Sequence, residues 1–213
     1  MTGLSQSANG NNGAAPLAAG FSDPIHDGQA CFRAIMNAMA RPGSLQAFDA
    51  QALTPPAPLT ATGAAIALTL LDYDTPVWLD TALSRSEAAK TFLRFHTGAP
   101  IVSEPVEASF ALISNPAKLA SLGSFHQGTS EYPDRSATLI LMEQEFSGKD
   151  AVTLSGPGIE TRTTFSTGPV SPAFWEQVKV NNAQFPRGLD LIFAGETEIA
   201  ALPRSTTVTV QEG

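Results

Sequence analysis

Apolar positions along this chain follow two alternating periods, and the switches between them mark out the elements. Ile25, Phe32, Ile35, Met36 and Met39 recur at helical spacing, which predicts an amphipathic helix with one apolar face. Ser22 and Asp23 can cap it, Pro24 suits its first position, and Pro42 with Gly43 stops it near Ala40. A Pro-rich connection, TPPAP at 54–58, leads to a short helix predicted across GAAIALTLLD, residues 63–72. TPVWLD, 75–80, reads as a short strand. Ser84-Arg85-Ser86-Glu87 has the form of a capping box, with Ser84 accepting from a backbone N–H and Glu87 reaching back. The helix it opens is expected to run to about His96 and to end at Gly98.

The second half is rich in strands. APIVS (99–103) and ASFALIS (108–114) are apolar and short. ATLILME (137–143) is continuously apolar, which predicts a strand buried on both faces at the centre of a sheet. AVTL and IETRTTF are two strands separated by SGPG, LDLIFAG and IAALP form a hairpin across GETE, and TTVTV is a last strand. A short helix starts at Asn115-Pro116, and another opens at Ser171-Pro172 with Phe174, Trp175 and Val178 on one face. Helices and strands interleave, yet several successive strands are joined too tightly for parallel crossovers. The expected fold is therefore α/β, with a mixed sheet and helices packed on its faces in three α/β/α layers. Residues 1–20 are Ala, Gly, Asn and Ser with little to bury and are expected to be a flexible tail. Residues 21–213 are expected to form one domain.

Charge narrows the function classes. Twelve basic residues stand against twenty acidic ones, giving −8, and no two basic residues are adjacent. Nucleic-acid binding, which needs a basic stripe, is not expected. No apolar run reaches the roughly 18 residues that cross a bilayer, and the first twenty residues carry neither a basic start nor an apolar core of a secretory signal. The single cysteine, Cys31, leaves no intramolecular disulfide, which points to a reducing, cytoplasmic setting. Charged residues make up 15% of the chain, against about 25% in an average soluble domain, and such a surface suits a chain that covers part of itself with another subunit.

Candidate chemistry is sparse. SGPG at 155–158 follows an apolar strand, as phosphate-binding loops do, but the lysine of a Walker loop is missing and a strand-like segment follows where a helix N-terminus would be needed. A hairpin turn, with proline and the glycines Gly156 and Gly158 setting its angles, is the favoured reading. His26, His96 and His126 have no metal-ligand spacing, and no metal site is expected. Cys31, beside Phe32 in a helix, reads as a buried small hydrophobe. None of the four lysines has the desolvating surroundings of a Schiff-base lysine, and Asp72 and Asp74 read as turn formers. Arg187 at a Pro/Gly turn and Arg204 after IAALP lie at the margins of adjacent strands, where they could bind an anion or serve a structural or interface role, the latter being favoured. Catalytic residues and cofactor ligands are expected to be none.

Seven stretches taken in order resemble one family: FSDPIHDGQACFRAIMNAMARPG, TPVWLD, LRFHTGAPIVS, ATLILME, LSGPGIE, FPRGLDLIF and ALPRSTTV. From about Phe21 to Val210 the chain is similar to PhnH, a subunit of bacterial carbon–phosphorus lyase. The resemblance implies work in phosphonate catabolism. There, a group of subunits couples a phosphonate to the ribose of ATP with release of adenine, and a separate radical subunit later breaks the C–P bond. It implies a fold like that of PLP-dependent transferases without the cofactor, no assigned catalytic residues, self-pairing as a homodimer when isolated, and docking on the other lyase subunits. A ligand-binding role, with a phosphonate or nucleotide phosphate held near Gly156, Gly158, Arg187 and Arg204, is the alternative.

Overall fold

The computed structural model describes residues 17–119, 121–147 and 151–210. The expected tail falls mostly on residues 1–16, which lie outside the described residues. Helix α1, Pro24–Ala40, starts where predicted. The Asp23 carboxylate accepts from the N–H groups of Ile25 and His26, and Pro24 takes the first turn. Strand β1 is Gln46–Ala47. Helix α2, Ala61–Leu70, is capped by the Thr60 hydroxyl and begins two residues before the predicted span. Its small residues let it lie close on the sheet: a Cβ at Gly63 would stand 2.1 Å from the Met142 sulfur.

Strand β2, Val77–Leu79, is followed by two helices where one was expected: α3, Thr81–Arg85, and α4, Glu87–Thr97. The predicted capping box is corrected accordingly. Ser84 lies inside α3, which Asp80 caps, and Ser86 caps α4 by accepting from the Ala89 N–H at 3.3 Å. Glu87 is thus at the first position of α4, too early to reach back to the cap, and instead meets Lys90 at 2.5 Å. Lys90 holds the Glu87 carboxyl below its ordinary pKa. Gly98 ends α4 in the left-handed region, as expected.

The remaining strands are β3 (Ile101–Val102), β4 (Phe110–Ile113), β5 (Thr138–Leu141), β6 (Val152–Ser155), β7 (Thr163–Phe165), β8 (Asp190–Ala194), β9 (Glu198–Leu202) and β10 (Thr207–Val210), with α5, Phe174–Ala183, between β7 and β8. The short helix expected after Asn115 is a single 3-10 turn, Pro116–Lys118. Seven strands form one sheet in the order β1-β9-β8-β5-β4-β2-β3. β3, β2, β4, β5 and β8 are mutually parallel, and β9 runs against both β8 and β1, which makes the sheet mixed. β10, β6 and β7 form a second, antiparallel sheet.

The strand period of two divides the core. Leu112, Ile140, Ile192 and Ala201 face α1, α2 and α4, with Ile35, Ile66, Phe92 and Leu93 packed on them. Ile113, Leu139, Leu141, Leu191 and Phe193 face the other way, onto Phe174, Trp175 and Val178 of α5 and onto Leu154, Phe165 and Val208 of the small sheet. One outer layer is therefore helical, and the other combines one helix with three strands. Strand β5 sits at the centre of the large sheet because its apolar run serves both faces, each such side chain contributing about 1.5–3 kcal/mol on burial.

Candidate functional site

Arg204 belongs to the frame of the molecule. Its Nε donates to Asp190 Oδ1 at 3.1 Å, its Nη2 pairs closely with Asp190 Oδ2, its Nη1 donates to the Pro133 carbonyl, and its backbone N–H also reaches Asp190 Oδ1, at 2.8 Å. The side chains are 16% and 13% exposed, so the pair is largely withdrawn from water. Each of its three nitrogens already donates within the fold, and the facing carboxylate offsets its charge, so the fork is committed to the structure rather than presented to an external anion. Arg187 behaves differently. It sits in the loop after α5, is exposed, and has no ion-pair partner among the described residues.

Gly156 and Gly158 lie in the connection between β6 and β7, which runs over residues 156–162 and is longer than the four-residue turn predicted, because only Thr163–Phe165 of IETRTTF forms strand. The Ile159 N–H closes a turn on the Gly156 carbonyl at 3.1 Å. Gly156 has φ 133° and Gly158 φ 82°, conformations that favour glycine. A Cβ at Gly156 would be 3.0 Å from the Ser205 carbonyl, and one at Gly158 would be 2.3 Å from the Ala40 carbonyl. Ala40 is the last residue of α1. The glycine loop thus rests on the carbonyl end of a helix, the end that disfavours anions.

These candidates share one end of the molecule. β9 pairs Leu202 with Leu191 near the start of β8, and β10 pairs Thr207 with Ser155 just before Gly156. Arg187, Arg204 and the glycines accordingly stand where the parallel strand β8 begins. Gly156 is brought against Ser205, next to Arg204, whereas Arg187 forms no ion pair among the described residues. In open α/β sheets ligands gather at the opposite, carboxyl ends of the strands.

At that carboxyl end the organising residue is Asp80, which the sequence reading placed only within a strand. Its Oδ1 accepts from the N–H groups of Ala82 and Leu83, capping α3. Its Oδ2 accepts from the Ser114 N–H at 2.7 Å, the Ser114 hydroxyl at 2.8 Å and the Asn115 N–H at 3.1 Å. One carboxylate clamps the ends of β2 and β4 together and is saturated in doing so.

The histidines are separated. His26 bonds Asp23 at 2.7 Å, His96 Nε2 lies 2.9 Å from the Ala18 carbonyl, and His126 accepts from the Gly128 N–H. Hydrogen bonds from the His26 backbone and ring hold the Asp23 carboxyl below its ordinary pKa. Among the described residues no three His, Cys, Asp or Glu side chains are grouped to hold a metal ion. A PLP aldimine needs a lysine in a desolvated pocket. Among the described lysines, Lys90 and Lys179 pair with Glu87 and Glu176, and Lys118 is exposed, so these residues do not fit that cofactor.

Cys31 is buried in α1, and burial pushes its thiol above the ordinary range. A thiol reagent at pH 8 should therefore modify the native protein at least tenfold more slowly than the urea-unfolded chain. Equal rates, read by absorbance, would count against the burial.

On its other side α1 leaves apolar surface uncovered. Ile25, Phe32 and Met36 are 68%, 50% and 50% exposed, while Cys31, Ile35 and Ala38 carry the contact with the core. The single face predicted from Ile25, Phe32, Ile35, Met36 and Met39 is corrected to two adjoining rows, of which one is buried. The uncovered row borders a surface hollow of about 630 Å³ shared with Leu68 of α2.

The family described as bacterial phosphonate metabolism protein (PhnH) matches residues 19–209. The chain is 39% identical over 186 residues to the alpha-D-ribose 1-methylphosphonate 5-triphosphate synthase subunit PhnH of Rhizobium meliloti, covering 87% of this chain and 92% of that protein. It is 33% identical over 84 residues to the putative C-P lyase subunit protein HtxG of Stutzerimonas stutzeri, covering 39% of this chain and 43% of that one. No helix among the described residues is long and apolar enough to cross a membrane.

Proposed function

We propose that this chain, which belongs to the bacterial phosphonate metabolism (PhnH) family, is a non-catalytic cytoplasmic subunit of the carbon–phosphorus lyase assembly that couples a phosphonate to the ribose of ATP and releases adenine. Relatedness to a synthase subunit over nearly the whole length of both chains carries this reading. Two features of the fold support it. The strongest constellations at the amino end of the parallel strands are consumed in holding the structure together, and α1 presents an apolar row that an isolated chain leaves in water. A mostly parallel seven-stranded sheet with one strand reversed supports reading the fold as like that of PLP-dependent transferases. Arg187, exposed on the loop after α5, is suited to a charged contact with a neighbouring subunit.

Co-expression of a tagged copy with the other lyase subunits is the test. The chain should be recovered with them, and its recovery alone under conditions where the others assemble would overturn the reading. The isolated chain should be a homodimer through the α1 row, over an interface of roughly 1,200 Å² or more. Phe32→Glu places a charge in that row and should weaken self-association at least tenfold by light scattering. A wild-type monomer at micromolar concentration would exclude the pairing.

A further inference from the structure

The two adjacent parallel strands that Asp80 ties together send their chains to opposite faces of the sheet. β2 continues into α3 and α4, whose Leu83, Phe92 and Leu93 join the core on the α1 side. β4 continues into the segment that carries Leu122 and Phe125, which join the core on the α5 side. Such a divergence is the topological switch point of an open α/β sheet, and a crevice opens there outside the carboxyl ends of the strands. In this protein the crevice is a cavity of about 520 Å³, within the range of roughly 300–1,000 Å³ usual for small-molecule sites.

The walls of the cavity are specific in character. Arg85 from the end of α3 and Lys118 from the turn after β4 bring two positive charges to it from segments far apart in the sequence. Neither side chain has an ion-pair or hydrogen-bond partner among the described residues, whereas those of Lys90, Lys179 and Arg204 all do. Asp80, the acidic group in the wall, spends its oxygens on five donors. Trp78, Ile113 and Leu119 supply apolar wall. Trp78 is fixed from behind, with its indole N–H on the Ser103 carbonyl at 3.2 Å and its ring edge-on to Phe125 at 5.4 Å. In a chain of net charge −8, two unpaired cations beside a preset apolar wall recognise a compact oxyanion that carries an apolar group.

We propose that this crevice is a binding site for a small organophosphonate, with Arg85 and Lys118 holding the phosphonate oxygens and Trp78 and Leu119 bordering its carbon substituent. The choice of phosphonate among tetrahedral anions rests on the function proposed above. The oxyanion site itself rests on the cavity.

The full-length chain is titrated with methylphosphonate, phenylphosphonate, inorganic phosphate and ATP, by calorimetry and by tryptophan fluorescence. Only Trp78 and Trp175 emit, and Trp175 is buried in the core between the sheet and α5. Saturable binding of methylphosphonate or phenylphosphonate with a change in emission is expected, with inorganic phosphate and ATP at least tenfold weaker. Arg85→Gln and Lys118→Gln, both at exposed positions that the fold tolerates, should each weaken binding at least tenfold. Arg162→Gln, in the β6–β7 connection, should leave it within twofold. Trp78→Phe should abolish the emission change while calorimetry still records heat. No saturable binding, binding indifferent to both crevice substitutions, or an emission change that survives Trp78→Phe would overturn the site. Phosphate or ATP binding as tightly as the phosphonates would overturn the assignment of ligand. Failure here with intact co-assembly would leave the subunit reading standing. Binding without co-assembly would remove that reading and leave this one.

Discussion

Asp190→Ala should cost about 3–5 kcal/mol of folding stability, as expected when one partner of a buried ion pair is removed. The substitution leaves the Arg204 guanidinium in a site mostly closed to water with only the Pro133 carbonyl to accept from it, and it also strips the acceptor of the Arg204 backbone N–H. Arg204→Ala should cost a comparable amount by stranding the carboxylate. Because the two changes remove the same interaction, the double substitution should cost less than their sum by about 1–3 kcal/mol. Urea unfolding of the four proteins measures all of this. Total stabilities of about 5–15 kcal/mol make the singles visible as large midpoint shifts. The alternative, in which Arg204 waits for a phosphorylated ligand, predicts the reverse: little loss of stability and a large loss of affinity. A cycle with no coupling, and singles each below about 1 kcal/mol, would return Arg204 to the list of free cations.

The contrast between Arg204 and Arg85 shows where sequence pattern stops being informative. Both arginines follow apolar strands at a distance of a few residues. The pairing of Arg204 depends on β8 and β9 closing as a hairpin in a register that sets Leu202 opposite Leu191, which puts Asp190 beside the residue two after Leu202. The hairpin was legible, because LDLIFAG and IAALP are apolar runs around a short turn. Its register was not. The position of Arg85 depends on more: on strand order, on the faces to which two crossovers go, and on a second cap. Asp80-Thr81 and Ser86-Glu87 are both good cap sequences, and a cap at Ser84 leaves no room for α3 or for the crevice beside it. Strand β5 was legible in type and place, since the consecutive apolar residues Leu139, Ile140 and Leu141 have only one stable setting, between two covered faces. Helix α1 was legible in extent and not in orientation. Its apolar arc is wider than the face the sheet can cover, and periodicity alone does not say which row is left for a partner.

Gly158→Ala should be the most damaging single-methyl change in the glycine loop, at about 3 kcal/mol. Holding a non-glycine residue at φ 82° costs about 1–2 kcal/mol by itself. The new Cβ would then stand 2.3 Å from the Ala40 carbonyl oxygen and 2.9 Å from Pro42 Cδ. The Ala40 oxygen is backbone at the end of α1, held by the Arg41 and Gly43 hydrogen bonds that terminate the helix against β9, so it has little room to yield. Gly156→Ala is the comparison. There the nearest atom is the Ser205 carbonyl at 3.0 Å, tight but open to a shift of a few tenths of an ångström, and the loss should be about 1–2 kcal/mol. The ordering of the two identifies what the glycines are for. A loop kept bare to approach a phosphate would lose affinity at both positions and stability at neither. A loop kept bare so that the β6–β7 connection can lie against the carbonyl end of α1 loses stability, most where that end is closest. Thermal unfolding of the two variants, alongside titration with methylphosphonate, separates these. Stability unchanged in Gly158→Ala together with lost binding would move the ligand site from the switch point of the large sheet to its opposite end.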